Sequence, residues 1–305
     1  MNLTGRCTLL SVVAAIVLAP SFIAAAPFPV NRWSFDTAAG GAADGAVVSD
    51  SIGGAHGTIR GAGASWSGTD VVLPGGSSDS AAYVDLPNGL ISGKTAVTFE
   101  GWYTVNGGGN WARVFDFGST QPGGGNGEIT GPGNTNGGGA EGLDYIILSA
   151  SRGGNYGDQR IEWRDIDPGT PDTGNWNFDS SRPTVFGEQI HFAVSVDSDV
   201  AAPDSIVNYW RNGEHILVDA VAPNKQLSNV NDVNNWLGRS TWLGDANLNG
   251  SYNEFRIYDR ALTDQDVQES LARGPDIIPE PASLGLAAVA FGLLLPFARR
   301  RRRQR

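Results

Sequence analysis

Asp245, Asn247, Asn249 and Gly250 form an Asp-x-Asn-x-Asn-Gly run, the spacing at which the first half of a calcium loop presents its oxygen ligands. The twelfth position of such a loop should carry a bidentate glutamate; here it is Arg256, and Glu254 falls two residues short. The run offers calcium a partial oxygen set, and it would serve equally as a polar turn between two strands. Trp111 follows Asn110, and Trp176 lies between Asn175 and Asn177. An indole face beside amide side chains suits the apolar patch and hydroxyl rim of a sugar, and equally packing beneath a loop. Glu162 and Asp165 are three apart and so face opposite sides of a strand; Asp165 and Asp167 share a side, but Pro168 marks the strand's end. His56, His191 and His215 have no metal-type spacing. His191 falls opposite the apolar side of its strand and reads as a surface residue.

The elements that would hold these groups are short β-branched and aromatic runs: 30–35, 81–86, 96–104, 113–117, 145–149, 161–164, 191–196, 206–211, 215–219 and 252–258. In 191–197, Phe192, Val194 and Val196 point one way and His191, Ser195 and Asp197 the other. Asn212-Gly213 separates two runs and predicts a two-residue type I′ hairpin, because both positions need positive φ. One helix is expected after Thr263, which can cap it with Asp266 three residues on; Val267 and Leu271 share a face, and Gly274-Pro275 ends it. The pattern is all-β, with 42 glycines concentrated in long loops. Loops 107–110, 123–139 and 168–178 are polar and glycine-rich, so any binding is expected on them and not on the sheet faces.

Between Pro27 and Ile278 lie 14 of the 21 basic residues and 31 of the 32 acidic ones, a balance of −17. Such a surface repels nucleic acid and anionic lipid. The one cysteine, Cys7, precedes this region, so disulfides, thiol catalysis and cysteine metal sites are excluded from it.

Both ends carry sorting information. Arg6, the apolar run Leu9–Ala19 and the small residues Ala24 to Ala26 read as a signal peptide, residues 1–25. At the other end, the linker 274–281 closes with Pro279-Glu280-Pro281, an uncharged stretch spans 282–298, and a tail at 299–305 holds Arg299, Arg300, Arg301, Arg302 and Arg303. The stretch is long enough for a transmembrane helix, and the arginines should stay cytoplasmic with everything before Pro279 outside. These three parts resemble the PEP-CTERM sorting signal. The resemblance implies an exosortase-type enzyme as partner, a transient inner-membrane intermediate and a final place on the cell surface or outside the cell.

Several segments between Phe28 and Arg273 resemble, in order, the LamG-like jelly-roll domain of the concanavalin A-like lectin/glucanase superfamily. They are Trp33-Ser34-Phe35-Asp36, Tyr83-Val84-Asp85-Leu86-Pro87, Val97-Thr98-Phe99-Glu100-Gly101-Trp102, Asn235-Trp236-Leu237-Gly238-Arg239 and Asn253-Glu254-Phe255-Arg256-Ile257-Tyr258. The resemblance implies a two-sheet antiparallel sandwich over 28–273, with Phe192, Val194, Val196, Phe255 and Ile257 between the sheets. Glucanases of that superfamily carry acid and nucleophile on one strand as Glu-x-Asp-x-Glu, and no such pattern occurs here. The expectation is therefore a non-catalytic surface or matrix module, glycan-binding through Trp111 and Trp176. A hydrolase with its dyad on separate strands, or a purely structural envelope component, remain the alternatives.

Overall fold

The computed structural model describes residues 27–278 except 122–126, 133–140, 154–156 and 167–173. The signal peptide, Pro279-Glu280-Pro281, the span and the arginine tail lie outside the described residues, as do much of loop 123–139 and part of loop 168–178. Among the described residues no helix is long and apolar enough to cross a membrane.

The strands are β1 (Asn31–Trp33), β2 (Gly40–Gly41), β3 (Val47–Val48), β4 (Gly57–Arg60), β5 (Ser65–Trp66), β6 (Val71–Gly76), β7 (Tyr83–Leu86), β8 (Ala96–Gly107) and β9 (Arg113–Gln121). They continue as β10 (Glu141–Ser149), β11 (Asp158–Arg164), β12 (Trp176–Pro183), β13 (Gln189–Asp197), β14 (Ser205–Arg211), β15 (Glu214–Ala222), β16 (Asn234–Leu237) and β17 (Asn247–Tyr258), followed by helix α1 (Asp264–Arg273). A back sheet runs β15-β14-β13-β8-β17-β6-β5-β2, with β1 also on β17; a front sheet runs β12-β11-β10-β9-β16-β7-β4-β3. The ladders between these strands are antiparallel, so the chain is an all-β two-sheet jelly-roll sandwich.

Alternation decides which side chains meet between the sheets. Phe99 of β8 stacks on Phe115 of β9 at 4.6 Å, and Phe192 and Phe255 join the same aromatic layer. The residues expected in the core, Phe192, Val194, Val196, Phe255 and Ile257, are at most 1% exposed. Burying each such side chain contributes roughly 1.5–3 kcal/mol. Gly101 faces this layer because a Cβ there would meet the Glu254 carbonyl at 2.8 Å and the Phe192 ring at 2.9 Å. Asn212 and Gly213 have φ of 50° and 78°, as the hairpin between β14 and β15 requires. Thr263 caps α1 in a complete capping box with Asp266, and Gly274 ends it at φ 79°.

Helix α1 changes the reading of the back sheet's outer side. Ala193, Trp210 and Tyr258 pack there against Leu262 and Val267. His191, expected at the surface, is buried because this layer covers it: its Nε2 lies 2.9 Å from Glu100 Oε1 and its ring 4.5 Å from that of Trp102. Burial alone would raise the Glu100 pKa; the His191 hydrogen bond, the Arg256 charge and the Tyr258 hydroxyl outweigh it and hold the carboxyl below its usual range. Arg256 also meets Glu254 at 2.5 Å and donates to the Pro275 carbonyl at 2.5 Å, so the chain leaving α1 is strapped to the sheet.

Candidate functional site

Among the described residues no helix lies over the front sheet, and Ile129 and Leu243 pack on Tyr83 and Trp236 over part of its outer side. Register aligns Thr58, Asp85, Trp236, Asp116, Ile147, Glu162 and Asn177 in one row across its strands. Cross-strand partners share a face. Phe115, Phe117, Ile161 and Trp163 on the alternate positions lie in the core, so this row faces outward. One end of the row opens into a cleft of about 260 Å³ lined by Trp111, Arg113, Arg160, Glu162, Trp242 and Asp245.

Two loops bring the tryptophans to it. Trp111 takes φ 66°, a left-handed conformation that is costly for a bulky side chain. The conformation is fixed on both sides: the Trp111 N–H donates to Ser151 O at 2.7 Å, and Arg113 Nη1 donates to the Trp111 carbonyl. The loop that carries Trp242 and Asp245 is tied down by Asp116, whose Oδ2 accepts from the Thr241 N–H at 2.7 Å and the Thr241 hydroxyl at 3.0 Å. Ser240 Oγ then accepts from the Trp242 N–H at 3.0 Å and donates to Asp245 Oδ2 at 3.1 Å.

The charges in the cleft are paired. Arg113 Nη2 lies 3.0 Å from Asp245 Oδ2, and its Nε lies 3.6 Å from Asp116 Oδ2. Arg160 grips Asp179 with two bonds of 2.6 and 3.1 Å and reaches Glu162 at 3.7 Å. Glu162 Oε1 accepts from the Tyr145 hydroxyl at 2.7 Å and from Asn175 Nδ2 at 3.0 Å. Burial pushes the Asp116 carboxyl up to about 7, against the pull of Arg113 and Thr241. Burial likewise raises Asp245, again opposed by Arg113. Guanidiniums also back the indoles: Arg160 is centred 5.5 Å from the Trp111 ring, and Arg164 lies 5.5 Å from the Trp242 ring.

Of the residues weighed from the sequence, Trp111, Glu162 and Asp245 line this cleft. Trp176 does not. It opens strand β12 opposite Trp163, packs against the core and donates its Nε1 hydrogen to Val221 O at 3.0 Å. Asn247 is fully buried with its amide on Ala81 O at 2.9 Å, and Asn249 is a strand residue paired with both β6 and β8. Asp245 itself is held by Arg113 and Ser240. Among the described residues no three His, Cys, Asp or Glu side chains form a metal-type group. Arg160 and Glu162 stand on the outward side of β11, so strand residues as well as loop residues line the cleft. Arg113, Arg160 and Trp242 were not singled out, and Glu162 was weighed only as a partner for Asp165. A signal existed in β11, where Arg160, Glu162 and Arg164 alternate with Ile161 and Trp163.

Comparison with known proteins settles the fold's relatives. A profile described as concanavalin A-like lectin/glucanases superfamily matches residues 78–268. The chain belongs to that superfamily. Among solved structures it resembles domain 4 of AbnA, a GH43 extracellular arabinanase from Geobacillus stearothermophilus determined in complex with arabinotriose. That match has 20% identity, a TM-score of 0.56, and covers 81% of this chain and 98% of the other. The CBM40 of the Ruminococcus gnavus IT-sialidase, bound to α2,3-sialyllactose, aligns at 17% identity and TM-score 0.40 over 59% of this chain and 83% of its own. The binding domain of botulinum neurotoxin DC, in complex with rat synaptotagmin II, aligns at 11% and 0.47 over 80% and 51%. No curated protein matches the sequence. At these identities the structures share the fold alone.

Proposed function

We infer that this superfamily member is an exported, non-catalytic surface or matrix protein that binds an uncharged glycan in the front-sheet cleft. The observation that carries this reading is the convergence of Trp111 and Trp242 with paired charges in one cleft on the outer side of the front sheet. Indoles offer apolar area to a sugar ring, and arginine–carboxylate pairs offer donors and acceptors side by side to its hydroxyls. Two arginines and two carboxylates line the cleft, so its charge nearly cancels, which disfavours strongly anionic or cationic ligands. The arabinanase domain determined with arabinotriose is compatible with a sandwich of this fold holding a neutral oligosaccharide. Export and sorting rest on the signal peptide and on the PEP-CTERM-like tail, with an exosortase-type enzyme as processing partner. Titration of the full chain with neutral oligosaccharides tests the site. Binding should be lost in the Trp111→Ala/Trp242→Ala variant while its melting stays cooperative; unchanged binding in that variant rejects the assignment.

The hydrolase reading has one observation in its favour, since Glu162 and Asp245 reach a single cleft from separate segments. Against it, Glu162 is held by Tyr145 and Asn175, and Asp245 by Arg113 and Ser240. Both carboxylates are thus committed as hydrogen-bond acceptors. Release of reducing sugar that vanishes in Glu162→Gln would replace the binding reading with this one.

A further inference from the structure

A second cleft lies on the opposite side of the sandwich. It has a volume of about 510 Å³ and sits on the outer side of β13, β14 and β15, where the start of α1 meets the sheet. The His215 ring lines one side, stacked on Trp210 at 4.2 Å and 20°. Asn208 sets the histidine's tautomer. Its Oδ1 accepts the Asp219 backbone N–H at 2.7 Å, so the same oxygen, 2.9 Å from His215 Nε2, must receive a hydrogen from that nitrogen. His215 Nδ1 is then turned toward Asp264, 3.9 Å away. Asp264 also accepts the Trp210 Nε1 hydrogen at 2.9 Å, which fixes its carboxylate at the rim.

The charge of this cleft is one-sided. Asp197, Asp219 and Asp264 line it, and among the described residues no lysine or arginine does. The remaining lining includes Val200, which is 68% exposed, and the half-buried Ile206. Three carboxylates around an apolar floor suit a cation on an aliphatic stem, because the stem covers Val200 and Ile206 while the head meets the acids. They do not suit a bare metal ion: no metal-type group of three acidic or histidine side chains exists among the described residues. The carboxylates are spread around the cleft and do not converge on one point.

We propose that this cleft is a docking site for an extended peptide segment of a protein partner, one that presents lysine or arginine between apolar residues. Two features favour a peptide over a small amine. The floor beneath the acids is apolar, and an exposed valine at the rim has more area than an amine head can cover. β15, the terminal strand of the back sheet, borders the cleft, and its Val221 carbonyl already accepts from Trp176, so side chains and not strand addition would hold the peptide. The site is independent of the front cleft and stands whether or not that cleft takes a glycan.

Fluorescence anisotropy with the full chain tests it, using a labelled, end-blocked Val-Lys-Val-Lys-Val peptide as probe. The lysine peptide should bind, and its glutamate counterpart should not. Affinity should fall as salt rises from about 0.05 to 0.5 M, because charges near the surface are screened over this range. Asp219→Asn is the most informative variant: the side chain is exposed, and asparagine tolerates the φ of 45° found there. It should weaken binding about fivefold, and adding Asp264→Asn should weaken it at least about twentyfold, the scale expected for partly exposed charge pairs. Glu162→Gln in the other cleft should leave the affinity unchanged. Equal binding of the two peptides, or full affinity in Asp219→Asn, would overturn the proposal. Complete displacement by spermidine or by calcium at the peptide's own dissociation constant would overturn it too, showing a small-amine or a metal site instead. Loss of peptide binding in Glu162→Gln would place the peptide in the front cleft and reject this one.

Discussion

The two outer faces of the sandwich hold buried charge in opposite ways. On the back sheet Glu100, Glu254, Arg32, Arg256 and His191 are sealed beneath α1 and the strap at Gly274-Pro275. On the front sheet Arg113, Asp116, Glu162 and Asp245 make a comparable network, but it ends at an open cleft. Ions removed from water must be compensated by partners, and a covered cluster achieves this with protein groups alone. The covered cluster thereby fixes the position of α1 and of the chain end. The front one holds polar groups in place at the rim of the cleft, where a ligand can complete their hydrogen bonds.

Substitutions can break this comparison or sharpen it. The largest effect is expected on the sealed side. Glu100→Ala removes the buried carboxylate that His191 and Tyr258 bond, and one of the two facing Arg256, and should cost about 3–5 kcal/mol in denaturant unfolding. A loss below about 1 kcal/mol would mean that the back cluster does not anchor the face. In the front cleft, Trp242→Ala should weaken glycan binding by about 10- to 100-fold while changing stability much less, the range reported for an aromatic contact worth roughly 1–3 kcal/mol. Equal effects on melting and on binding would erase the distinction between the faces.

A pH measurement separates them further. Asp116 has its carboxyl pushed up to about 7 by burial, above the ordinary 3.8. The folded protein therefore holds a proton that the unfolded chain has already released. The contribution is favourable below about pH 4, and stability declines as pH rises from there to about 7. Asp116→Asn should flatten that decline in melting temperature, whereas Glu100, held low, contributes stability above its unfolded pKa that is lost on acidification. The smallest change is Thr263→Ala, which removes the α1 cap and should cost about 1 kcal/mol. If it also weakens peptide binding beside α1, the helix start is part of the second cleft's frame.

What could be read in advance follows from which forces act locally. Alternation in 191–197 and 252–258, the Asn212-Gly213 turn and the Thr263–Asp266 capping box each depend on neighbouring residues, and each appears as expected. The two-residue strands β2, β3 and β5 exist only through their partners, and no local pattern announces them. His191 was misread because its strand has two buried faces, a fact decided by where α1 lands. Trp111 was legible as an indole among polar loop residues. Trp242 was not, because its position depends on Asp116, distant in sequence, accepting from Thr241. Trp176 looked like Trp111 in composition, yet a strand formed around it and turned it to the core.

β17 sits in the middle of the back sheet, bonded along its length to β8 on one side and to β6 and β1 on the other. In a chain held by its C-terminal end, tension reaches the sandwich through α1 and the strap at Pro275, which Arg256 and Arg32 grip. Pulling should first peel α1 from its bed and only then load β17. At that point ladders on both flanks resist sliding together, and no single pair can open like a zipper. The sandwich is thus built as a shock absorber in two stages, and stretching single molecules from the C-terminus should register a small early extension ahead of one high-force rupture.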